Sequence, residues 1–371
     1  MKTATTYPLT KPIISSFGLL FLIFAFSQCQ TTHEKFDNKS KANKEIQTNA
    51  VDTKQRGTHV FGVRDSSNFE FLKQNNIEWI TMVSWGFQEN HNSPKVNHQN
   101  GDSLSMAKHD SSWVNRLDQI HSAGFKTFFK PHVWIDKPVD GKWRSDIFPT
   151  SDENWELWKE SYRNFILRYA HVAERANVDM FCLGTEFTKL TLEKPAYWKD
   201  LITEVRRVYS GQLTYAANWY SEFENLSFWK DLDFIGIQAY FPLVENKYPS
   251  AGEISEGWKE HLPSIEFVSK KNDRKVIFTE MGYKSTADGA IKPWEWIEYG
   301  TDQKRAISHE TQANCYQAFF NTVWPKDWFK GVHLWQMRTD ELNSERGVNQ
   351  LDFTPRGKPA EKIIGDGFKR Q

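Results

Sequence analysis

The fold is decided by a short pattern that is clearest at Met180-Phe181-Cys182-Leu183-Gly184-Thr185-Glu186, an apolar run that ends in a carboxylate. Seven further runs rich in β-branched and aromatic residues share this pattern, and each is followed by a loop and then a helical stretch. These runs span residues 59–63, 79–85, 126–134, 212–219, 234–240, 276–283 and 331–337. Helical spacing between the runs is clear, as at Trp155, Trp158 and Tyr162. The chain therefore alternates strands with helices.

Alternating strands and helices indicate parallel strand pairing through right-handed crossovers. Eight such units over about 310 residues predict an α/β fold, a closed (β/α)8 TIM barrel that forms a single catalytic domain. We place this domain at residues 58–371. A doubly wound sheet is the alternative, but that fold usually carries a Gly-rich phosphate-binding turn after an early strand, and this sequence lacks one.

The composition limits the kinds of molecule that the protein could bind. The 371 residues contain 47 Lys and Arg against 47 Asp and Glu, so the formal net charge is zero. Phosphate backbones are bound by clustered, uncompensated Lys and Arg, which makes nucleic acid a poor candidate partner. The 27 Phe, 16 Trp and 12 Tyr are unusually many and need a reason. Flat aromatic rings beside hydrogen-bonding groups suit sugars, which have apolar C–H faces and polar hydroxyls.

The N-terminal segment has the pattern of an export signal. Lys2 and Lys11 precede an apolar run at residues 17–26, which is too short to span a bilayer as a helix. The following Ser27-Gln28-Cys29 resembles the lipobox of bacterial lipoprotein signals. This resemblance implies a signal peptide at residues 1–28, lipidation of Cys29, and an exported, membrane-anchored protein in the periplasm or at the cell surface. The alternative is conventional cleavage nearby and a free secreted enzyme.

Residues 29–57 are polar and nearly free of large apolar side chains, which predicts a disordered tether. Two cysteines remain beyond this tether, Cys182 in an apolar run and Cys315 on a helical pattern. We expect both to be buried free thiols. No metal-ligand spacing occurs among the cysteines, so neither a metal nor a cofactor is predicted.

Two glutamates end predicted strands. Active sites of (β/α)8 barrels lie at the C-terminal strand ends, and the long connections at residues 86–109, 135–149, 284–309 and 338–358 all follow strands. Glu186 ends the fourth strand and Glu280 lies near the end of the seventh. Two carboxylates that flank a substrate are the minimum apparatus for glycoside hydrolysis. The alternative is that each glutamate pairs with a nearby Arg or Lys and only stabilises the barrel rim.

Four motifs carry a family resemblance: Phe129-Lys130-Pro131-His132-Val133-Trp134, Phe181-Cys182-Leu183-Gly184-Thr185-Glu186, Phe278-Thr279-Glu280-Met281-Gly282-Tyr283 and Asp352-Phe353-Thr354-Pro355-Arg356-Gly357-Lys358-Pro359-Ala360. With this order and placement the chain resembles the retaining clan A glycoside hydrolases. Within that clan it is most similar to glycoside hydrolase family 113, whose characterised members are β-1,4-mannanases. The likeness extends from about His59 onward.

The resemblance implies a role for several residues. Glu186 would be the general acid/base and Glu280 the nucleophile, with the Tyr240 phenol supporting it and Trp335 forming the floor under the sugar. Many clan members carry Asn directly before the acid/base, where this chain has Thr185, so Asn218 is a candidate for the sugar 2-hydroxyl. Other strand-end residues are candidate substrate contacts: Trp85, Lys130, His132, Trp134, Trp219 and Tyr283. Trp294 and Trp296 are candidates for further subsites.

These features lead to one main hypothesis, a retaining endo-β-1,4-mannanase that cleaves mannan or mannooligosaccharides by double displacement. A second hypothesis keeps the carboxylates and changes the substrate to glucan or xylan. A third is a surface lipoprotein that binds glycan without cleaving it, although a binder has no use for a nucleophile. A metal-dependent hydrolase is the weakest option, because His59, His91, His109 and His132 are scattered along the chain.

Overall fold

Eight parallel strands close into a barrel, as predicted. The computed structural model describes residues 53–61, 67–98, 102–296, 305–338 and 351–369. The strands are β1 (Gln55–His59), β2 (Trp79–Met82), β3 (Trp85–Gln88), β4 (Lys126–Phe129), β5 (His132–Ile135), β6 (Met180–Thr185), β7 (Gln212–Asn218), β8 (Ile235–Gln238), β9 (Val276–Met281) and β10 (Phe329–Leu334). The closed barrel has the neighbour order β1-β10-β9-β8-β7-β6-β4-β2. Counted around the barrel, β6 is its fourth strand and β9 its seventh.

Helices follow the strands along the chain. They are α1 (Ser67–Gln74), α2 (Ser103–Ser122), α3 (Asp152–Arg175), α4 (Thr188–Glu193), α5 (Pro195–Val208), α6 (Ala251–Asn272), α7 (His309–Thr322) and α8 (Pro359–Lys369). Sequence-encoded caps start several of them. Ser151 accepts a hydrogen bond from the Asn154 amide at the start of α3, and Ser250 forms a capping box with Glu253 at the start of α6.

Three boundaries differ from the sequence predictions. The first strand is β1 at Gln55–His59 rather than residues 59–63, so residues 55–57 belong to the barrel although their composition placed them in the tether. The predicted strands at 79–85 and 126–134 are each divided in two. Their second halves, β3 and β5, leave the barrel and pair with each other in a separate parallel sheet. This pair extends one side of the barrel beyond its C-terminal strand ends.

Apolar side chains pack in two layers. The larger cluster joins the outer strand faces to the helices and includes Trp158, Tyr162, Trp198 and Trp258. A smaller cluster, contributed by neighbouring strands from β2 round to β9, fills the barrel interior: Trp79, Phe128, Met180, Cys182, Ala216, Phe234 and Ile277. Cys182 and Cys315 are buried and free, as predicted. Much of the aromatic excess is therefore structural.

The end of β9 lies very close to the segment after β10. A Cβ atom at Gly282 would collide with the carbonyl oxygen of Trp335, so only glycine permits this approach. The contact brings Trp335 beside the strand that carries Glu280. Among the described residues, no helix is long and apolar enough to cross a membrane.

Candidate active site

Glu280 is a buried carboxylate surrounded by polar side chains from four neighbouring segments. It is 4% exposed. The ammonium of Lys130 lies 2.5 Å from its Oε1, and the phenol of Tyr240 donates to its Oε2 at 2.8 Å. The Nε2 atoms of His59 and His132 lie 3.7 and 3.6 Å from Oε1. These contacts gather on one group because the ends of β1, β4, β8 and β9 meet at the same end of the barrel.

The groups around Glu280 keep its carboxyl ionised. Burial is the largest single influence on its carboxyl and would raise the pKa, but the charge and hydrogen bond of Lys130, together with His59 and Gln238, more than offset burial and lower that pKa to about 2. Burial lowers the pKa of His59 to about 3, and it also lowers the pKa of His132. Burial and the nearby Glu280 charge raise the pKa of Tyr240, so its phenol stays protonated and can donate. Glu280 is therefore a carboxylate at neutral pH, held by one cation and one hydroxyl.

Glu186 follows β6 directly and points toward the same end of the barrel. Its backbone is left-handed, with φ of 60°, and its amide donates to the Ala216 carbonyl at 2.9 Å. Its Oε2 accepts two hydrogen bonds from Arg144, at 2.6 Å from Nη2 and 3.2 Å from Nε. The Glu186 side chain is 15% exposed, so this carboxylate is more accessible than Glu280.

A short chain of side chains connects the two carboxylates. Arg144 lies in a 3₁₀ turn at Arg144–Asp146, and its Nη1 is 3.4 Å from Nδ1 of His132. The other ring nitrogen of His132 faces Glu280. Glu186 and Glu280 therefore belong to one connected site, with one carboxylate buried and the other partly open.

A largely aromatic cavity of about 380 Å³ opens above Glu280. Its described lining residues are Phe61, Trp85, His132, Trp134, Trp143, Arg144, Glu280, Trp296, Trp335, Gln336 and Arg338. Trp134 stands edge-on to Trp85 on one side and to Trp143 on the other, with ring centroids 5.8 and 5.2 Å apart. Trp335 meets the edge of Trp296 at 5.7 Å. The cavity thus offers flat apolar walls with a few polar groups between them.

Comparison with known proteins identifies the family. The family model for Glycoside Hydrolase Family 113 matches residues 52–358. The chain belongs to glycoside hydrolase family 113. A search of curated proteins returned no match.

Solved structures agree with this family 113 membership. The chain is 27% identical to a structure described as a GH113 β-1,4-mannanase, with a TM-score of 0.71, over 86% of this chain and 100% of that one. It is 26% identical to the GH113 β-mannanase of Alicyclobacillus acidocaldarius in complex with ManMIm, with a TM-score of 0.70, over 85% and 97% of the two chains. A Ruminococcus gnavus β-glucuronidase is 15% identical, with a TM-score of 0.54 over 85% and 50% of the chains, and it shares the fold alone.

The structure of this family 113 enzyme brings most of the predicted residues together. Trp85, His132, Trp134 and Trp335 line the cavity with Glu280. Tyr240 makes the contact with Glu280 that the resemblance implied. Trp219 packs against the cluster of Tyr240, Trp335 and Phe353 and stacks on Trp294, with ring centroids 5.2 Å apart. Trp296 lines the cavity itself, whereas Cys29 lies outside the described residues.

Three predicted substrate contacts of the family 113 enzyme are instead buried against protein partners. Lys130 is completely buried, and its ammonium binds Glu280 and the Gln238 side chain. Tyr283 is also completely buried and packs edge-on against Tyr316 of α7, because it lies on the outer side of the barrel. Asn218 is 5% exposed, and its side-chain Nδ2 donates to the Thr188 hydroxyl at 2.8 Å. A position at a strand end did not show which way each side chain points.

Sequence reasoning missed other residues of this family 113 site. Arg144 and Trp143 lie within the long connection at residues 135–149, and a Trp beside an Arg in that loop was an available signal. His59 ends β1, but the sequence boundary placed it at the start of the strand. Phe61, Gln336 and Arg338 carried no distinctive pattern. No group of three or more His, Cys, Asp or Glu that could hold a metal ion occurs within the described part of the chain.

Proposed function

We propose that this family 113 enzyme is a retaining endo-β-1,4-mannanase. The observation that carries the proposal is the contrast between its two carboxylates. Glu280 is buried and ionised beneath an aromatic cavity, as a nucleophile must be. Glu186 is partly open at the same end of the barrel, as a proton donor to the leaving group must be. The family match and the two β-mannanase structures support the substrate.

Double displacement follows from these positions. In the first step, a Glu280 oxygen forms an ester bond to the anomeric carbon, the glycosidic bond breaks, and Glu186 gives its proton to the departing oxygen. In the second step, Glu186 takes a proton from water, whose oxygen bonds to the anomeric carbon as the ester breaks. The result is retention of configuration. Arg144 holds Oε2 of Glu186, and none of the described contacts occupies Oε1, which leaves that oxygen for proton transfer.

The residues around Glu280 have separate roles in the reaction. Lys130 and Tyr240 hold the carboxylate ionised and oriented for attack. Trp335 and the wall of Trp85, Trp134 and Trp143 supply faces on which sugar rings stack. The Nε2 of His132 and the Nε1 of Trp335 are buried polar atoms that accept or donate no hydrogen bond within the described residues. Sugar hydroxyls would satisfy both.

The test is digestion of β-1,4-mannohexaose with the purified enzyme, following the first anomer by NMR and the product lengths by chromatography. We expect the β-anomer first and internal cleavage. An α-anomer would contradict the assignment of Glu280 as nucleophile. Turnover of glucan or xylan oligosaccharides without mannan cleavage would keep the mechanism and change the substrate.

Glu280→Ala separates an enzyme from a glycan binder. The variant should lose turnover while oligosaccharide binding, measured by calorimetry, is retained. Glu204→Gln is the matched control, since it removes a half-buried glutamate that pairs with Arg163 on the outer helices. The control should keep full activity. Equal activity of Glu280→Ala and the wild type would refute the catalytic site.

We further propose that the protein is exported and held at a membrane through a lipid on Cys29. Lys2, Lys11, the apolar run at residues 17–26 and Cys29 itself support this, as does the polar stretch that follows. Metabolic labelling with a palmitate analogue in a bacterial host should mark the wild type and fail with Cys29→Ala. Cys315→Ala is the control and should keep the label. An unlabelled wild type found in the medium would instead support a free secreted enzyme.

A further inference from the structure

Glu222 is a buried glutamate that the proposed reaction does not use. It follows β7 and is completely buried, and it is absent from the described lining of the cavity. Four donors converge on it. Tyr215 and Thr191 donate their hydroxyls to Oε1 at 2.7 and 2.8 Å. The backbone amide of Asn218 and the Thr188 hydroxyl donate to Oε2 at 2.8 and 3.1 Å.

These donors belong to the two segments that hold Glu186 in place. Thr188 and Thr191 lie on α4, the short helix that starts two residues after Glu186. Tyr215 and Asn218 lie on β7. The Tyr215 hydroxyl also accepts from the amide of Phe187, at 2.7 Å. Glu222 is therefore the common acceptor that joins the segment after Glu186 to the neighbouring strand.

Glu186 needs such support because its own backbone is strained. A left-handed conformation is costly for a residue with a Cβ atom and persists only where the surroundings hold it. On one side, the Glu186 amide is bonded to Ala216 of β7. On the other side, the chain continues into Phe187 and Thr188, both tied to the Glu222 network. Without Glu222, the hydroxyl groups around it would lose their shared partner and α4 would lose its attachment to β7.

We propose that Glu222 is a positioning residue that aims the Glu186 carboxylate at the leaving-group oxygen. This inference rests on the proposed role of Glu186 as general acid. Burial raises the pKa of the Glu222 carboxyl to about 7 despite its four donors, so the ionised form of this group is costly inside the protein. This cost is consistent with a residue whose role is to fix the positions of its four donors. Glu222 does not touch the substrate and acts only through the segment it holds.

The choice of leaving group tests this role. A natural oligosaccharide needs its departing oxygen protonated, whereas 2,4-dinitrophenolate leaves without help. Glu222→Ala should lower kcat on mannotetraose about 100-fold, because a misplacement of about 1 Å in a catalytic group costs about that much. The same variant should form the glycosyl-enzyme from 2,4-dinitrophenyl β-mannobioside within about threefold of the wild-type rate, as measured by the initial burst. Glu222→Gln should restore most of the activity, since its amide can donate to Tyr215 and Thr191 while its oxygen accepts from Asn218 and Thr188.

Two controls separate the possible failures. Tyr209→Phe removes a buried hydrogen bond to Val178 at the opposite end of β6, so it should lower stability without any preference between the substrates. Glu186→Ala defines the full leaving-group effect. If Glu186→Ala slows both substrates equally, the proposed acid/base role fails. If Glu186→Ala shows the effect and Glu222→Ala slows both substrates equally, only the positioning role fails.

Glu222→Ala is also open to a folding defect. In that case the isosteric variant Thr188→Val/Thr191→Val carries the test, because it removes two of the four donors and leaves Glu222 in place. We expect a selective loss on mannotetraose from a folded protein, verified by circular dichroism. An unselective loss from a folded double variant would overturn the proposal.

Discussion

Lys130→Met removes the cation that keeps Glu280 ionised. The two groups are 2.5 Å apart and both are buried, and the pKa of Glu280 is lowered from 4.5 to about 2. A shift of that size corresponds to about 3 kcal/mol in favour of the carboxylate, since one pKa unit is about 1.4 kcal/mol. Without Lys130, burial dominates and the pKa of Glu280 should rise above 4.5. At pH 4.5 at most about half of the nucleophile would then be ionised.

The assay is the pH dependence of kcat/KM between pH 3 and 9 on mannotetraose. The acid limb reports the ionisation of the free enzyme, so it should lie below pH 4 in the wild type and move above pH 4.5 in Lys130→Met. Lys54→Met is the matched control, since Lys54 binds the Lys326 and Phe329 carbonyls at the opposite end of the barrel. The control should leave the acid limb unchanged.

Stability should follow the same linkage. The folded-state pKa of Glu280 is below its unfolded value, so the pair stabilises the fold above about pH 4.5 and this contribution is lost as the pH falls through about 2. Removing Lys130 alone leaves a buried, unpaired charge at a cost of about 3–5 kcal/mol at neutral pH. Lys130→Met/Glu280→Gln should regain most of that loss in urea unfolding. An unchanged acid limb in a folded Lys130→Met would refute this account of the nucleophile.

Three further predictions use the same geometry. Tyr240→Phe removes the hydroxyl on Oε2 of Glu280 and should lower kcat more than tenfold with little change in KM, measured by steady-state kinetics with a burst experiment. Arg144→Met frees Oε2 of Glu186 and should lower kcat about tenfold on mannotetraose but not on the dinitrophenyl glycoside, and an equal loss on both would speak against it. Glu222 has a folded-state pKa of about 7, above its unfolded value of 4.5, so the wild type should lose stability relative to Glu222→Gln as the pH rises from 4.5 to 7. The measurement is urea unfolding of the two proteins at pH 4.5, 6 and 8. A difference in their free energies of unfolding that stayed constant over these pH values would contradict this pKa.

The barrel was predictable because its signal is local. Each strand had to be apolar on both faces, so runs such as 180–186 and 276–283 stand out from the amphipathic helices between them. Parallel connection and strand count then place Glu186 and Glu280 at the same end of the barrel. The first strand was misplaced because Gln55, Arg56 and Gly57 resemble the polar segment before them. Their burial comes from pairing with β10 and β2, which is a long-range property.

The roles of individual site residues depend on the direction of each side chain and on its distance from other side chains. Lys130, Asn218 and Tyr283 all lie at strand ends, yet the first supports Glu280, the second joins the Glu222 network and the third packs on α7. Glu222 itself carries no sequence signal, because a glutamate in a polar turn is ordinarily exposed. The sequence by itself determined the barrel and the two carboxylates, since these follow from hydrophobic period and chain order. Only the tertiary structure decided which cation holds each carboxylate, because those partners are up to 150 residues apart and meet only when the barrel closes.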